Sequence, residues 1–264
     1  MENDNRHIVL KTNDLEIGYT SKKSIKTITK DVNITLEKGA FICLLGQNGI
    51  GKSTLLRTLT KVQPQINGDV FINDENLNSI SQNELSKKIS LVLTERLPES
   101  NLTVLEIIAL GRQPYTNWIG KLTEVDIKKI ESAITSTNIK HLKHLKHYEL
   151  SDGQLQKVLI ARALAQDTDI IILDEPTAHL DVQHTMETFQ LLKNLTEIHH
   201  KTILISTHEI NLAIETSDTL LLMTNEGLFT GKPLDLIENG DIKNLFTSNT
   251  IEFNNSKKRF VLKN

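Results

Sequence analysis

Gly46-Gln-Asn-Gly-Ile-Gly-Lys52-Ser53 is the stretch that decides the fold. It matches the pattern G-x-x-x-x-G-K-[ST], with an apolar run over residues 40–45 before it and a helical pattern over residues 54–59 after it. In this context the glycines let backbone N–H groups face phosphate oxygens at a helix N-terminus, Lys52 neutralises the phosphates, and the Ser53 hydroxyl reaches Mg²⁺. The sequence therefore predicts a nucleotide-phosphate site at a strand-to-helix turn.

The composition is that of a globular chain with little net charge. The 264 residues carry 30 Lys and Arg against 33 Asp and Glu, a net charge of -3, so no uniform field attracts nucleic acid or an acidic membrane. A basic patch on part of the surface is compatible with this net charge. The longest apolar run, residues 40–45, is far shorter than the roughly 20 residues of a membrane-spanning helix, so we expect the chain not to cross a bilayer. Its one cysteine, Cys43, excludes an internal disulfide.

Strand and helix patterns alternate along the chain, which indicates an α/β sheet. Short strands are predicted between residues 8 and 45, turns at Lys38-Gly39 and Gly68-Asp69, and helical spacing between residues 102 and 139. The second half predicts a helix from Ser151 to about Gln166, a strand over 169–174, a helix over about 182–199 and a strand over 202–206.

Two acidic residues and a histidine follow predicted strands. Asp174 ends the apolar run 170–173, at the carboxyl edge of the sheet where ligands of open α/β folds bind, and is the natural partner of Mg²⁺. Glu175 can act as general base for the water that attacks the γ phosphate. His208 follows the next predicted strand, where an imidazole can contact that phosphate and the attacking water. Lys52, Glu175 and His208 are therefore the predicted catalytic residues.

Ser151-Asp-Gly-Gln154 precedes an apolar-periodic helix and fits a capping box, with Ser151 as the N-cap and Gln154 at the third helical position. The pattern thus indicates a helix start. A helix N-terminus that contains serine and glycine is also an anion site, so this segment could hold a phosphate from another molecule.

Five ordered motifs together resemble the nucleotide-binding subunit of an ATP-binding-cassette (ABC) transporter. They are residues 46–54, Leu150-Ser-Asp-Gly-Gln154, Leu173-Asp-Glu-Pro-Thr177, Leu180-Asp181 and His208. The resemblance covers residues 8–245 and implies an α/β fold: a P-loop NTPase (RecA-like) core with an N-terminal antiparallel β-subdomain and an inserted helical subdomain. It implies one ABC ATPase domain over residues 1–264, with the core and β-subdomain at about 8–93 and 158–245, the helical subdomain at about 94–157, and a C-terminal tail or extra strand at 246–264.

The resemblance also implies a site for ATP and Mg²⁺. The residues implied to bind the nucleotide are Tyr19, Gly46, Gln47, Asn48, Gly49, Ile50, Gly51, Lys52, Ser53, Thr54, Ser151, Gly153, Gln154 and Asp181. The implied Mg²⁺ contacts are Ser53, Asp174 and Thr94. Tyr19 resembles the family's adenine-stacking aromatic, and an ordinary strand tyrosine is the alternative.

By the same resemblance, the functional unit is a head-to-tail dimer of two copies. Each ATP lies between the phosphate loop of one copy, residues 46–53, and residues 151–154 of the other, which we call the signature segment. A separate polytopic permease is implied, which would place the chain at the cytoplasmic face of the cell membrane, with a substrate-binding protein as an indirect partner and no nucleic acid.

Residues in the middle of the chain narrow the resemblance to one group of importer ATPases within the family. Gly111-Arg-Gln-Pro-Tyr115, followed by Trp118, is similar to the helical segment of importer ATPases for iron-siderophore, haem and vitamin B12 uptake. We therefore expect the ATP-hydrolysing subunit of an iron-chelate importer, for a siderophore or haem. The alternatives are an importer of vitamin B12 or another small molecule, a soluble cassette ATPase acting on DNA or the ribosome, and a nucleotide sensor without turnover.

Two positions depart from the family pattern. Thr94 stands where a glutamine usually contacts Mg²⁺ and senses the permease, so a bridging water or Glu95 would have to substitute. Asp152 stands where the signature segment usually carries glycine. Its charge favours the helix dipole yet would repel a phosphate, so we expect Asp152 to point aside and to weaken ATP-driven closure of the dimer mildly.

Overall fold

The computed structural model describes residues 7–21, 24–93, 100–245, 250–254 and 257–263. Thr94 and Glu95, both named above for Mg²⁺ and the permease, lie outside the described residues. The strands are β1 Ile8–Thr20, β2 Ile25–Val32, β3 Thr35–Glu37, β4 Phe41–Gly46, β5 Asn67–Ile72, β6 Glu75–Asn76, β7 Ile89–Val92, β8 Ile170–Asp174, β9 Thr202–Ser206, β10 Thr219–Thr224, β11 Gly227–Gly231, β12 Ile251–Asn254 and β13 Arg259–Leu262.

The α-helices are α1 Lys52–Leu59, α2 Gln82–Leu85, α3 Val104–Ala109, α4 Glu124–Ser136, α5 Asp152–Ala165, α6 Val182–His199, α7 Ile210–Thr216 and α8 Pro233–Glu238. Short 3₁₀ helices occupy Leu110–Tyr115, Lys140–Leu142, His147–Glu149 and Asp241–Leu245. The elements predicted between residues 151 and 206 are confirmed as α5, β8, α6 and β9, with nearly the same boundaries. Over the residues described, none of the helices combines the length and apolar character that spanning a bilayer requires.

The central sheet contains six strands in the order β11-β10-β4-β9-β8-β7. The strands from β10 to β7 are parallel, and β11 pairs antiparallel with β10. Alternate residues of the inner strands face two different cores. Cys43 and Ile171 pack with helices α3 to α6, whereas Ile42 and Ile170 pack with α1 and β1. Both faces of the sheet are covered, which is why its inner strands are continuously apolar.

The second sheet is antiparallel, with the order β2-β1-β5-β6 and β3 paired to β1. The separate short strands predicted within residues 8–17 are wrong: they form one strand, β1, in which a shift of register between Asn13 and Glu16 absorbs the break in the pattern as a bulge. The turn predicted at Gly68-Asp69 is also wrong, because both residues lie in β5. A Cβ atom on Gly68 would lie 2.3 Å from the carbonyl oxygen of Asp14, so the close passage of β1 requires the glycine.

The C-terminal segment, predicted as a tail or extra strand, contains an antiparallel pair, β12 and β13. The rings of Phe253 and Phe260 meet edge to face across this pair, with centroids 5.1 Å apart. Phe253 is buried and Phe260 packs against the same core as α5 and α6. The pair is therefore attached to the main body by these two phenylalanine side chains, which pack against its core.

A buried ion pair holds the helical segments together. Arg112 Nε donates to Asp126 Oδ1 at 2.8 Å, and Arg112 Nη1 donates to the carbonyl oxygen of Ala165 at 2.8 Å. The hydroxyl and backbone N–H of Thr123 donate to the other carboxylate oxygen of Asp126. These hydrogen bonds, chiefly that from the Thr123 hydroxyl, hold the pKa of Asp126 below its usual range. One pair thus links the 3₁₀ segment after α3, the start of α4 and the end of α5.

The predicted domain division stays a prediction. Its boundary at residue 157 falls inside α5, a single helix from Asp152 to Ala165.

We expect Asp126→Ala to lower the free energy of unfolding by about 3 kcal/mol, because it leaves the Arg112 guanidinium buried without its carboxylate. Denaturant unfolding followed by circular dichroism measures this. Lys129→Ala is the control: it removes a partly exposed ion pair with Asp167, and we expect a loss below about 1 kcal/mol. Equal midpoints for Asp126→Ala and the parent would contradict the prediction.

The loss should also depend on pH. Because the pKa of Asp126 is lower in the folded than in the unfolded chain, the stabilisation is present above the ordinary Asp pKa of about 4 and is lost as pH falls through the folded value. The difference between Asp126→Ala and the parent should therefore shrink when unfolding is measured at increasingly acid pH.

Candidate active site

The predicted phosphate loop connects the central strand β4 to α1. Gly49 and Gly51 have positive φ angles of +77° and +117°, which glycine adopts without strain. A Cβ atom on Gly51 would also lie 2.5 Å from the side chain of Ile28, and one on Gly46 would lie 2.7 Å from the carbonyl oxygen of Met223. The chain therefore needs glycine at these positions to turn sharply into the helix, and this turn leads directly to Lys52.

The other predicted residues of this loop differ in exposure. Gln47 and Asn48 are exposed, Ile50 and Ser53 are half-buried, and Thr54 is buried. Gln47 Nε2 donates to the carbonyl oxygen of Leu245 at 3.1 Å, so the loop is tied to the segment after α8.

Tyr19 lies beside the start of α1. Its hydroxyl is 3.1 Å from Thr54 Oγ1, and its side chain is 53% exposed. The tyrosine ring is thus available to a ligand next to the phosphate loop. Its stacking on adenine stays a prediction.

Ser206 organises the two acidic residues at the edge of the sheet. Its hydroxyl donates to Asp174 Oδ1 at 2.6 Å, and its oxygen accepts the backbone N–H of Glu175 at 2.9 Å. Asp174 is 4% exposed and Ser206 is fully buried. Glu175 has a positive φ of +47°, unusual for a residue with a side chain, and the bond from its N–H to Ser206 helps to hold that conformation.

Lys52, Glu175 and His208 converge on one point. Glu175 Oε1 lies 2.7 Å from His208 Nε2 and 3.5 Å from Lys52 Nζ, and the two nitrogens are 3.4 Å apart. Lys52 Nζ also donates to the carbonyl oxygen of Gly46 at 2.9 Å, which keeps the ammonium over the loop. Burial lowers the pKa of Lys52, and the carboxylates of Glu175 and Asp174 oppose this shift. A cation, a base and an imidazole thus meet beside the phosphate loop.

The oxygen donors at this point fit Mg²⁺. The Ser53 hydroxyl is next to Lys52 in the first turn of α1, and the Asp174 carboxylate is close enough to influence the pKa of Lys52. A magnesium ion at a phosphate site takes one or two protein oxygen ligands and completes its shell with phosphates and water. Thr94, the third predicted contact, lies outside the described residues and stays a prediction.

The signature segment and Asp181 form a second group. Ser151 caps α5: its hydroxyl accepts the N–H of Gln154 at 3.3 Å, and Gln154 Oε1 accepts the N–H of Ser151 at 3.0 Å. Asp181 caps α6 by accepting the N–H of His184 at 2.8 Å. Gly153 is buried against His184. Over the described residues, these hydrogen bonds join Ser151 to Gln154 and Asp181 to His184, and none of them reaches the phosphate loop.

Sequence reasoning missed Ser206 and His184. The signal that identified Asp174, a polar residue ending an apolar strand at the sheet edge, applies equally to Ser206 and would have found it. His184 gave no such signal, because its contact with Gly153 depends on the packing of α6 against α5.

A sequence model of the family described as ABC transporter matches residues 29–178. An uncharacterised ABC transporter ATP-binding protein of Methanocaldococcus jannaschii is 34% identical over 97% of this chain and 87% of that protein. The achromobactin transport ATP-binding protein CbrD of Dickeya dadantii is 34% identical over 88% of this chain and 86% of its own length. The iron(3+)-hydroxamate import ATP-binding protein FhuC of Bacillus subtilis is 35% identical over 81% of this chain and 78% of its own length.

Two solved structures are similar over most of the chain. One is a chain of an ABC transporter assigned to the metal-chelate type, in an inward-facing conformation. It matches with a TM-score of 0.79 at 26% identity, and the match covers 96% of this chain and 95% of that one. A dimeric ATP-binding cassette in a post-hydrolysis state with ADP and Pi matches with a TM-score of 0.73 at 28% identity, covering 85% and 98%. These likenesses and the two sheets confirm the predicted fold class, a P-loop core with an antiparallel β-subdomain and a helical region.

We expect Ser206→Ala to lower the rate of ATP hydrolysis about ten- to a hundred-fold, the range for loss of a residue that orients a metal ligand, because Asp174 is the predicted Mg²⁺ ligand. Steady-state phosphate release measures this. Ser90→Ala is the matched control, because Ser90 is also buried on this sheet and bonds the Thr168 hydroxyl at 2.9 Å. Both variants should lose about 1 kcal/mol of unfolding free energy, and only Ser206→Ala should lose hydrolysis. Equal rates in the two variants would refute this role of Ser206.

Proposed function

The chain belongs to the ABC transporter family as an ATP-binding cassette ATPase, and we propose that it powers the import of an iron chelate, a siderophore or a haem complex. The observation that carries the catalytic part is the convergence of Lys52, Glu175 and His208 within 3.5 Å beside the phosphate loop. The iron-chelate part is supported by the relatives named for achromobactin transport and iron(3+)-hydroxamate import.

In the proposed reaction, ATP binds with its β and γ phosphates on the glycine-rich loop and Lys52 Nζ. Ser53 and Asp174 would hold Mg²⁺, which supplies charge neutralisation when bound. Glu175 accepts a proton from water as the water oxygen forms a bond to the γ phosphorus. The bond from that phosphorus to the bridging oxygen breaks, and ADP leaves with its electron pair. His208 Nε2 donates a hydrogen bond to Glu175 Oε1 and thereby orients this carboxylate.

The functional unit in this proposal is a head-to-tail dimer of two copies. Three features support it: the signature segment is exposed at Ser151 and Asp152, Asp181 is exposed, and the first turns of α6 expose the apolar side chains of Val182 and Met186 to 73% and 54%. Exposed apolar side chains beside such segments are typical of an interface. The similar cassette bound to ADP and Pi is itself dimeric. The second copy would supply Ser151, Gly153, Gln154 and Asp181 to the nucleotide.

We propose that separate permease subunits hold this dimer at the cytoplasmic face of the cell membrane, with a substrate-binding protein as an indirect partner. The overall likeness to a chain of a metal-chelate type transporter supports this arrangement. The proposed role of Thr94 at the permease and at Mg²⁺ belongs to the same assembly.

The experiment that tests this function is purification of the tagged chain from gently solubilised membranes of its own cell. We expect a polytopic permease to copurify, and we expect deletion of the chain's gene to abolish growth on ferric siderophore or haem as sole iron source but not on ferrous salts. A purely soluble complex would refute the transport function and favour a cassette ATPase acting on DNA or the ribosome. Copurification with normal growth on both iron sources would point to vitamin B12 or another cargo.

We expect Glu175→Gln to lower ATP hydrolysis by at least about a hundred-fold, since the amide cannot accept the proton, and to keep ATP binding. It should therefore accumulate the ATP-bound dimer, measured by sedimentation velocity.

Adding Asp152→Gly should strengthen that dimer several-fold, because a carboxylate is removed from the segment that faces the partner's γ phosphate. A double variant with the same dimer affinity as Glu175→Gln would count against the expectation for Asp152.

A further inference from the structure

The first turns of α5 and α6 are in direct contact. A Cβ atom on Gly153 would lie 2.4 Å from Cδ2 and 2.8 Å from Cγ of His184, so the imidazole lies against the backbone of the signature segment. Any side chain at position 153 would push the ring away. The pair therefore joins the signature segment to α6 through a contact that only glycine permits.

The same histidine holds Asp181. Its backbone N–H and its ring atom Nδ1 are both 2.8 Å from Asp181 Oδ1. An ionised carboxylate only accepts, so Nδ1 carries the proton and donates. These hydrogen bonds lower the pKa of Asp181 and hold its carboxylate in one orientation although the side chain is 65% exposed. Gly153 and Asp181 are far apart in the sequence, and both contact the side chain of His184.

A second contact lies one turn further along both helices. Lys157 Nζ is 2.7 Å from Glu187 Oε2, and Gln183 Nε2 donates to Glu187 Oε1 at 2.9 Å. Residues three or four apart share a helix face, so the pairs Gly153–His184 and Lys157–Glu187 form a seam between the facing sides of α5 and α6. Two contacts in line restrict the relative orientation of the two helices more than either contact would alone.

We propose that His184 is a positioning residue that joins Asp181 to the signature segment, so that both meet the second copy's nucleotide as one rigid unit. This rests on the proposed function, in which both segments face ATP held by the partner's phosphate loop. His184 itself does not touch the nucleotide of its own chain. Its loss therefore weakens the ATP-bound dimer while the binding of ATP to a single chain is unchanged.

The test uses the full chain with Glu175→Gln as the parent. Dimer formation with Mg²⁺ and ATP is followed by sedimentation velocity, and ATP affinity of the single chain is measured with a fluorescent ATP analogue at protein concentrations below dimer formation. Adding His184→Ala should raise the dimer dissociation constant about ten-fold, as expected for one interaction of hydrogen-bond size. His184→Asn should recover most of this, because its amide nitrogen can occupy the place of Nδ1. Gln190→Ala is the control, since Gln190 is exposed on α6 and its amide donates to Asn194 Oδ1 on the same helix.

The outcomes distinguish a failure of the proposed dimer from a failure of the proposed role of His184. A parent that forms no dimer with ATP overturns the proposed dimer and the inference with it. A parent that dimerises while His184→Ala dimerises equally well overturns the inference alone. An equal loss of single-chain ATP affinity and of dimer in His184→Ala, or no recovery in His184→Asn, also overturns it, because the histidine would then act only on folding.

Discussion

The register between parallel strands is the constraint on which the site depends. β9 lies between β4 and β8, and its pairing sets Ser206 abreast of both Leu44 and Asp174. The carboxyl ends of the three strands therefore meet at one edge, where β4 runs into the phosphate loop and β8 ends in the acidic pair. A shift of β9 by one residue would turn Ser206 to the other face and remove the hydrogen bonds that orient Asp174 and Glu175.

Burial on both faces does not by itself select this register. The residues of β8 and β9 are buried without exception, and alternate side chains face different cores. A slipped strand would still present apolar side chains to both cores, so the apolar pattern alone does not select the register. The polar residues at the strand ends do: Asp174 and Ser206 satisfy each other only when they lie side by side. The same hydrogen bond thus specifies both the strand register and the orientation of Asp174.

Local patterns were sufficient to predict the elements that form this edge. The phosphate loop, the apolar runs of β8 and β9 and the capping box at Ser151 each depend on residues close in sequence. Contacts between distant residues gave no such signal. The bulge in β1 depends on its pairing with β5, and Gly68 is a glycine because β1 passes over it rather than because it turns the chain. His184 shows the same limit at the site, since its partner Gly153 is on another helix.

The geometry of α5 explains how the signature segment, which is distant from the phosphate loop, is mechanically connected to the central sheet. From residue 158 onward, α5 is largely buried in the core beside the central sheet, whereas its first turn carries the exposed signature segment. A helix of this length extends about 21 Å at 1.5 Å per residue, and α5 contains no proline that would kink it. Rotation of the signature segment therefore requires movement of the whole helix against the sheet, with the seam to α6 carrying Asp181 along. The boundary at residue 157, implied by the family resemblance, falls within this helix, which is continuous from Asp152 to Ala165.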